Sequence, residues 1–325
     1  MGNIKVHGGL TNLRINLLKY RAVFVVYDAN VKEFATKIAA GRPMYEIQAK
    51  EHYKTIDTVL EICSWLMSQK AGRDAFLLSV GGGITLDVAG FAASIYKRGI
   101  RYANVPTTLL SMVDAGIGGK TGVNFDSYKN ILGTIRQPEF TYIYPHVLRT
   151  LPERQLKSGA AEVLKTFIIK NEKGRYEEAV DVFSEPFDPE RYSSIIKTAA
   201  GIKDSIVRKD VNEKGKRRVL NLGHTYGHAI EWWQRRNNAE NPYTHGEAVA
   251  IGIVESARIS EDSGICRPGL AEKIRNDFIR CGLPTELPCS EKELEEAVKQ
   301  DKKAEGGKIN FVYIKKIGKV IIKSL

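Results

Sequence analysis

Apolar positions in this chain follow two textures, and the change between them comes near residue 150. Before it, short solid apolar runs alternate with helical periods. Arg21–Asp28, RAVFVVYD, is β-branched and aromatic and closes on an acid, which predicts a buried strand of a parallel sheet. Ala29–Ala40 follows as a helix and Met44–Ala49 as a second strand. From Tyr53 to Gln69 the apolar residues Ile56, Val59, Leu60, Ile62, Cys63 and Leu66 keep a helical period. Ala75–Val80 predicts a third strand, running straight into Gly81, Gly82 and Gly83 and then a helix over Leu86–Tyr96. Tyr102–Val105 predicts a fourth strand, closed by Pro106. Such alternation specifies an α/β fold: a parallel sheet with helices on both faces.

After residue 150 helical periods dominate: Glu153–Lys170, Glu177–Val182, Arg191–Lys209, Gly223–Arg235, Gly246–Ser263, Gly269–Cys281 and Glu291–Gln300. Strand signals return only at Lys308–Lys323, a terminal hairpin turning at Lys316-Ile317-Gly318. The pattern therefore predicts two domains, an α/β domain over 1–150 and a mainly α-helical domain over 151–325. A length of 325 residues agrees with two domains.

Composition narrows the class. With 43% hydrophobic and 27% charged residues, the chain reads as an ordinary globular protein. No apolar run reaches the ~18–20 residues that span a bilayer, and the opening MGNIKVHGGL lacks the apolar core of a signal peptide. Cys63, Cys266, Cys281 and Cys289 fit neither a CxxC pair nor a disulfide framework, so reduced thiols and a cytoplasmic setting are expected. A net charge of +11 admits a nucleic-acid partner or a basic pocket for anionic small molecules. The excess is spread along the chain, without a basic arm or an aromatic-interleaved platform, which favours the pocket and excludes nucleic acid.

Three stretches carry chemistry. In Asn221–Glu247, His224 and His228 lie four apart, on one face of a helix, and His245 follows before another apolar run. Two readings stand: hydrogen-bonded structural histidines, or a metal site with Gly223, Gly227 and Gly246 leaving room beside the backbone. The pattern is not His-Glu-x-x-His, so a zinc protease is not implied. Glu162 stands three residues before Lys165, either as a surface ion pair or on a buried face. A carboxylate with two histidines is a familiar three-ligand zinc set with an open position, and Glu162, His224 and His245 fit it, with His228 left for hydrogen bonding.

The second stretch is the strand–glycine–helix turn at Gly81–Gly83, which reads either as a phosphate cradle at a helix N-terminus or as a tight structural turn. Leu86 stands where G-x-G-x-x-G needs its third glycine. The third stretch, Pro106–Asn124 with Lys129 and Asn130, is dense in glycine, lysine and amide side chains and is expected to form flexible turns around a polyhydroxylated anion. Its Gly119-Lys120-Thr121 is no P-loop, because Asp114 occupies the first glycine position.

Taken together these stretches resemble the dehydroquinate synthases of the sugar-phosphate cyclase group. The likeness is carried by Gly81–Phe91, Tyr96–Gly99, Val105–Asn124, Lys129-Asn130, Leu151–Arg154, Ala161–Lys165, Asn221–Glu231, His245–Glu247 and Asp301–Lys303, in the family's order over most of the chain. The resemblance implies an NAD-binding N-terminal domain, a helical C-terminal domain holding zinc (or another divalent metal such as cobalt), and an active site in the cleft between. Glu162, His224 and His245 match the metal ligands. Asp28, Glu51, Lys54, Gly81, Gly82, Gly83, Asp87, Thr107, Thr108, Asp114, Lys120 and Lys129 match the cofactor side. Asp114, Lys120, Lys129, Asn130, Lys165, Lys203, Arg217, Asn221 and His228 match catalytic and substrate-contacting residues, and either Lys302 or Lys303 a further active-site lysine. Arg98 matches an arginine reaching the neighbouring subunit's phosphate site, implying a homodimer. Leu86 and Pro145 depart from the family, where glycine and aspartate are usual.

The implied reaction converts 3-deoxy-arabino-heptulosonate 7-phosphate, an anionic sugar phosphate, into 3-dehydroquinate and phosphate, within the shikimate pathway. NAD oxidises the C5 hydroxyl, zinc polarises its oxygen, phosphate is eliminated, the hydride returns and an aldol step closes the ring. The alternatives are another cyclase, such as a deoxy-inosose-forming enzyme, and a metal-dependent polyol dehydrogenase. The His228 run, GHAIE, argues against the valiolone-forming cyclases.

Overall fold

The computed structural model describes residues 3–7, 9–126, 128–290, 292–294, 298 and 310–324. The chain divides into two compact units on either side of the Leu151–Pro152 bond.

The first unit is built on six parallel strands: β1 (Asn3–Val6), β2 (Val23–Asp28), β3 (Met44–Ile47), β4 (Phe76–Gly81), β5 (Arg101–Pro106) and, after two further strands described below, β8 (Phe140–Ile143). Their order is β1-β8-β5-β4-β2-β3. Every residue of β2 and β4 is buried, the environment that solid apolar runs require. Alternate side chains of β2 serve opposite cores. Phe24 and Val26 meet Val59, Ile62 and Leu66 of helix α3 (Ile56–Ser68) and the apolar face of α4 (Gly83–Ile95). Val23, Val25 and Tyr27 meet Leu13 and Leu17 of α1 (Thr11–Leu17) and Ala35 and Ile38 of α2 (Lys32–Ala39).

Several local expectations need correction. The helix foreseen from Ala29 begins as a 3₁₀ turn, Ala29–Val31, whose N-cap Asp28 accepts from the Asn30 amide; the α-helix starts at Lys32. The helix foreseen from Leu86 starts at Gly83, so the last glycine belongs to the helix itself. The flexible turns foreseen over Pro106–Asn130 are a π-helical turn, Ser111–Ala115, and an antiparallel hairpin of β6 (Lys120–Phe125) and β7 (Tyr128–Ile135). Small residues make that hairpin possible: a Cβ at Gly133 would lie 2.2 Å from the Thr121 carbonyl oxygen, and one at Gly90 of α4 would lie 2.5 Å from Thr121 Cγ2. Strands β1 and β8 and helix α1 went unforeseen, although β8, FTYI, is an aromatic and β-branched run buried throughout.

The second unit holds α5 (Glu153–Ile169), α6 (Arg175–Phe183), α7 (Pro189–Lys209), α8 (His224–Arg236), α9 (His245–Asp262) and α10 (Leu270–Arg280), then the hairpin β9 (Asn310–Lys316) and β10 (Lys319–Ser324). That hairpin turns at Ile317-Gly318, as its sequence predicts, and docks through Gly318 N to Ile168 O at 2.8 Å and Ile314 N to Ser260 Oγ at 2.9 Å. Helix α5 is buried without a break from Ser158 to Ile169. The helix expected over Glu291–Gln300 falls mostly outside the described residues, and Lys302 and Lys303 lie wholly outside them.

Candidate cofactor and metal sites

In the first unit the strand order reverses between β2 and β4, and register aligns their ends: Tyr27 pairs with Val80, and Gly81 with Pro106. The C-terminal ends of β2, β4 and β5 therefore share one edge, at the switch point where open parallel sheets bind ligands. Asp28, Gly81–Gly83 and Thr107 all sit on that edge. Thr107 N donates to Gly81 O at 2.9 Å, locking the two strand ends together. No side chain caps the start of α4, so its first-turn amides face outward from the glycine turn. A Cβ at Gly82 would come 3.1 Å from Thr108 Cγ2, and one at Gly83 3.2 Å from Ala115 Cβ, so any larger residue would crowd the turn. Leu86 points the other way: it is buried, and its Cδ1 lies 3.3 Å from where a Gly116 Cβ would be. Gly116, just past the π-helical turn, leaves room for Leu86, although a Cβ there would first meet Ser111 O of its own turn at 2.6 Å. Pro145 opens the 3₁₀ turn after β8, where its missing N–H costs nothing.

Around this edge Lys54 Nζ donates to Asp87 Oδ2 at 2.6 Å and Asn130 Oδ1 at 2.5 Å. Asn124 Nδ2 donates to Glu51 Oε1 at 2.8 Å, while its Oδ1 accepts from Asn130 N at 3.0 Å. Asn130 holds φ +55°, a conformation asparagine tolerates better than most residues. Burial pushes the Asp87 carboxyl up to about 6, outweighing Lys54, with Glu51 and Asp114 pushing the same way. Residues 51, 54, 87, 114, 124 and 130, distant in sequence, thus form one polar group. Lys120 and Lys129 lie exposed on the β6–β7 hairpin, and Arg98 ends the 3₁₀ turn after α4 with φ +67°.

The second unit gathers the other predicted residues. Glu162 and Lys165, on α5, are each 1% exposed, with Lys165 Nζ 2.5 Å from Glu162 Oε2. Beyond this ion pair, both Glu162 oxygens are buried without a hydrogen-bond partner. His224 and His228 sit on α8 with ring centroids 5.3 Å apart, and His245, the first residue of α9, lies 5.3 Å from His224. Donor atoms of Glu162, His224 and His245 all fall within 4.8 Å of one another. A buried carboxylate compensated only by Lys165 and facing two imidazoles is a suitable arrangement for a divalent cation. His228 is more exposed and stands outside this trio.

His245 sits between two carboxylates, with Nε2 3.7 Å from Glu162 Oε1 and Nδ1 3.5 Å from Glu231 Oε1. Burial lowers its pKa, but Glu231 first and Glu162 second raise it further, and the net shift is upward. Lys203, on α7, and Arg217, in the 3₁₀ turn Lys216–Asn221, are buried cations; Arg217 NH1 donates to Val211 O at 2.7 Å. Asn221 closes that turn, two residues before Gly223, whose φ of +78° opens α8.

Sequence reasoning gave no role to Glu231, Glu247 or Ser158. Glu231 follows His224 by seven and His228 by three, the same helix face, and that spacing was legible. Thr244-x-x-Glu247 is a capping box at the start of α9, also legible and confirmed by both reciprocal bonds. Ser158 Oγ accepts from Gly246 N at 3.1 Å, a contact between two helices that no local pattern announces.

Comparison with known proteins gives concordant results. Family models described as "3-dehydroquinate synthase N-terminal" and "3-dehydroquinate synthase C-terminal" match residues 44–158 and 159–304. A 3-dehydroquinate synthase of Acidithiobacillus ferrooxidans is 39% identical over 311 residues, covering 92% of this chain and 84% of that protein. The solved 2-epi-5-epi-valiolone synthase of Streptomyces hygroscopicus, with NAD+ and Zn2+ bound, superposes with a TM-score of 0.87 at 27% identity, over 100% of this chain and 93% of that one. A 2-deoxy-scyllo-inosose synthase complexed with carbaglucose-6-phosphate, NAD+ and Co2+ shares the fold with a TM-score of 0.86 at 24% identity, over 99% and 92% of the two chains.

Proposed function

The chain belongs to the 3-dehydroquinate synthase family, and from that premise we propose that it converts 3-deoxy-arabino-heptulosonate 7-phosphate into 3-dehydroquinate and inorganic phosphate, a carbon–oxygen lyase step of the shikimate pathway. The supporting observation is the 39% identity to a dehydroquinate synthase over 92% of the chain, against 27% for the valiolone-forming cyclase.

NAD supplies a hydride acceptor that is restored within each turnover, and a divalent metal, zinc or cobalt, supplies Lewis-acid polarisation of a substrate hydroxyl. In this reading Glu162, His224 and His245 hold the metal. Asp28, Glu51, Lys54, the glycine turn, Asp87, Thr107 and Thr108 hold the cofactor. At the glycine turn the uncapped amides of α4 favour an anionic group such as a pyrophosphate. Asp114, Lys120, Lys129 and Asn130 face the nicotinamide and substrate. Lys165 Nζ, beside Glu162, donates to a substrate oxygen. Lys203, Arg217, Asn221 and His228 bind and orient the substrate's anionic and hydroxyl groups by charge-assisted hydrogen bonds. The protein is read as a cytoplasmic homodimer in which Arg98 reaches the partner's phosphate-binding residues. Among the described residues, no helix is long and apolar enough to cross a membrane.

The test is incubation with the heptulosonate phosphate, NAD and a divalent metal, following phosphate and NADH together. Phosphate should appear without NADH accumulating. Stoichiometric NADH would favour the polyol dehydrogenase reading, and phosphate release only from a hexose phosphate lacking a carboxylate would favour a deoxy-inosose-forming cyclase.

A further inference from the structure

We propose that Glu231 is a positioning residue for the metal: its carboxylate accepts a hydrogen bond from Nδ1–H of His245 and so turns Nε2 of that ring toward Glu162 and the ion. The inference rests on the metal reading above and adds a residue to it.

Three observations carry it. The first is which face of each ring is engaged. His245 presents Nδ1 to Glu231 Oε1 at 3.5 Å and Nε2 to Glu162 Oε1 at 3.7 Å, so only Nε2 points at the ligand group. His224 follows the same plan: its Nδ1 lies 3.2 Å from Leu222 O, a pure acceptor, which fixes the proton on Nδ1 and leaves Nε2 as the lone-pair nitrogen. Both histidines thus have an acceptor behind them, one a backbone carbonyl and the other a carboxylate.

The second observation is where Glu231 stands. It follows His224 by seven residues and His228 by three on α8, so one helix face carries all three. Helix α8 thereby offers both a ligand of its own and the support for a ligand on α9. The Glu231 side chain is only 13% exposed, a poor place for a carboxylate with nothing to bind.

The third is what else holds His245. It is the first residue of α9, with a one-third-exposed side chain, and Glu231 is the group that faces its Nδ1. A carboxylate behind a ligating imidazole fixes both ring orientation and tautomer and raises the basicity of the nitrogen that binds metal.

The experiment titrates Zn2+, in competition with a chromophoric chelator, into metal-free wild-type protein and into Glu231→Gln and Glu231→Ala. Glu231→Ala should weaken the affinity roughly 10- to 100-fold, with Glu231→Gln between the two because its amide oxygen can still accept. The unfolding midpoints of the metal-free proteins should stay together, and the visible spectrum of the saturated Co2+ forms should keep its band positions, since the ligands are the same. Wild-type affinity in Glu231→Ala would overturn the proposal while leaving the metal reading intact. So would a loss in both variants that tracks a lowered unfolding midpoint, which marks a purely structural role. Failure of wild-type protein itself to bind Zn2+ would instead remove the metal reading.

Discussion

Gly246 lies so close to Ser158 that a Cβ added at 246 would fall 1.9 Å from the Ser158 carbonyl oxygen. Here α5 and α9 touch through their backbones, one residue from His245 and one turn from Glu162. Because the obstacle is a carbonyl rather than a flexible side chain, Gly246→Ala must push the helices apart. Overpacking of this kind costs about 1–3 kcal/mol. The expected outcome is a lowered unfolding midpoint together with weakened Zn2+ binding. An alanine variant binding Zn2+ as tightly as wild type would show that this spacing does not set the ligand geometry.

Arg154 works on the same pair of helices. From the first turn of α5 its Nε and NH2 reach Glu247 of α9 at 2.9 and 2.8 Å, and NH2 also donates to Pro242 O at 2.7 Å. Its side chain is half exposed, so the pair adds little to global stability, on the order of 1 kcal/mol or less. Arg154→Ala should therefore leave the unfolding midpoint nearly unchanged yet weaken Zn2+ binding severalfold. Arg154→Lys should not restore it, since an ammonium cannot reproduce the two-pronged contact. Recovery by lysine would mean that charge alone matters.

Stability should carry a pH signature from Asp87. Its carboxyl is raised from an ordinary 3.8 to about 6, burial being the main cause. The folded state then binds a proton that the unfolded chain has released between about pH 4 and 6. This contribution is fully present below the unfolded value and is lost as pH rises through about 6. Urea midpoints measured across that range should fall more steeply toward neutral pH in wild type than in Asp87→Asn. Parallel curves would assign the slope to other groups.

Metal removal should abolish turnover without unfolding the protein, because Lys165 at 2.5 Å partly compensates the Glu162 charge. Chelator-treated protein should keep its far-ultraviolet circular dichroism and regain activity with Zn2+ or Co2+. Full turnover in protein verified as metal-free would end the assignment of Glu162, His224 and His245.

Arg98 ends the 3₁₀ turn Tyr96–Arg98, where Lys97 and Arg98 both hold left-handed φ values, +49° and +67°. If it serves a partner's phosphate site, Arg98→Ala should weaken substrate binding and spare NAD and metal binding. Mixing Arg98→Ala with Lys165→Ala should then restore activity, since one site in the mixed dimer has both residues. No recovery after demonstrated subunit exchange would confine Arg98 to its own chain.

The sequence by itself determined the elements whose physics is local. Solid apolar runs gave β2, β4 and β5, helical periods gave most of the second unit, and Ile317-Gly318 set the terminal turn. The Gly81–Gly83 turn and the His224–His228 spacing were equally legible, because each is a relation among neighbours in the chain. Only the tertiary structure decided the rest. Hairpin β6–β7 hid in a glycine-rich stretch, since strand pairing is a non-local contact and Gly122 and Gly133 carry no strand signal of their own. Lys54, Asp87 and Asn130 became one polar group only when three separate segments packed together. The order of the histidines could suggest a metal-binding set, but not say which nitrogen of His245 turns toward Glu162. That orientation depends on Glu231 behind the ring, and on how closely Gly246 lets α9 approach α5.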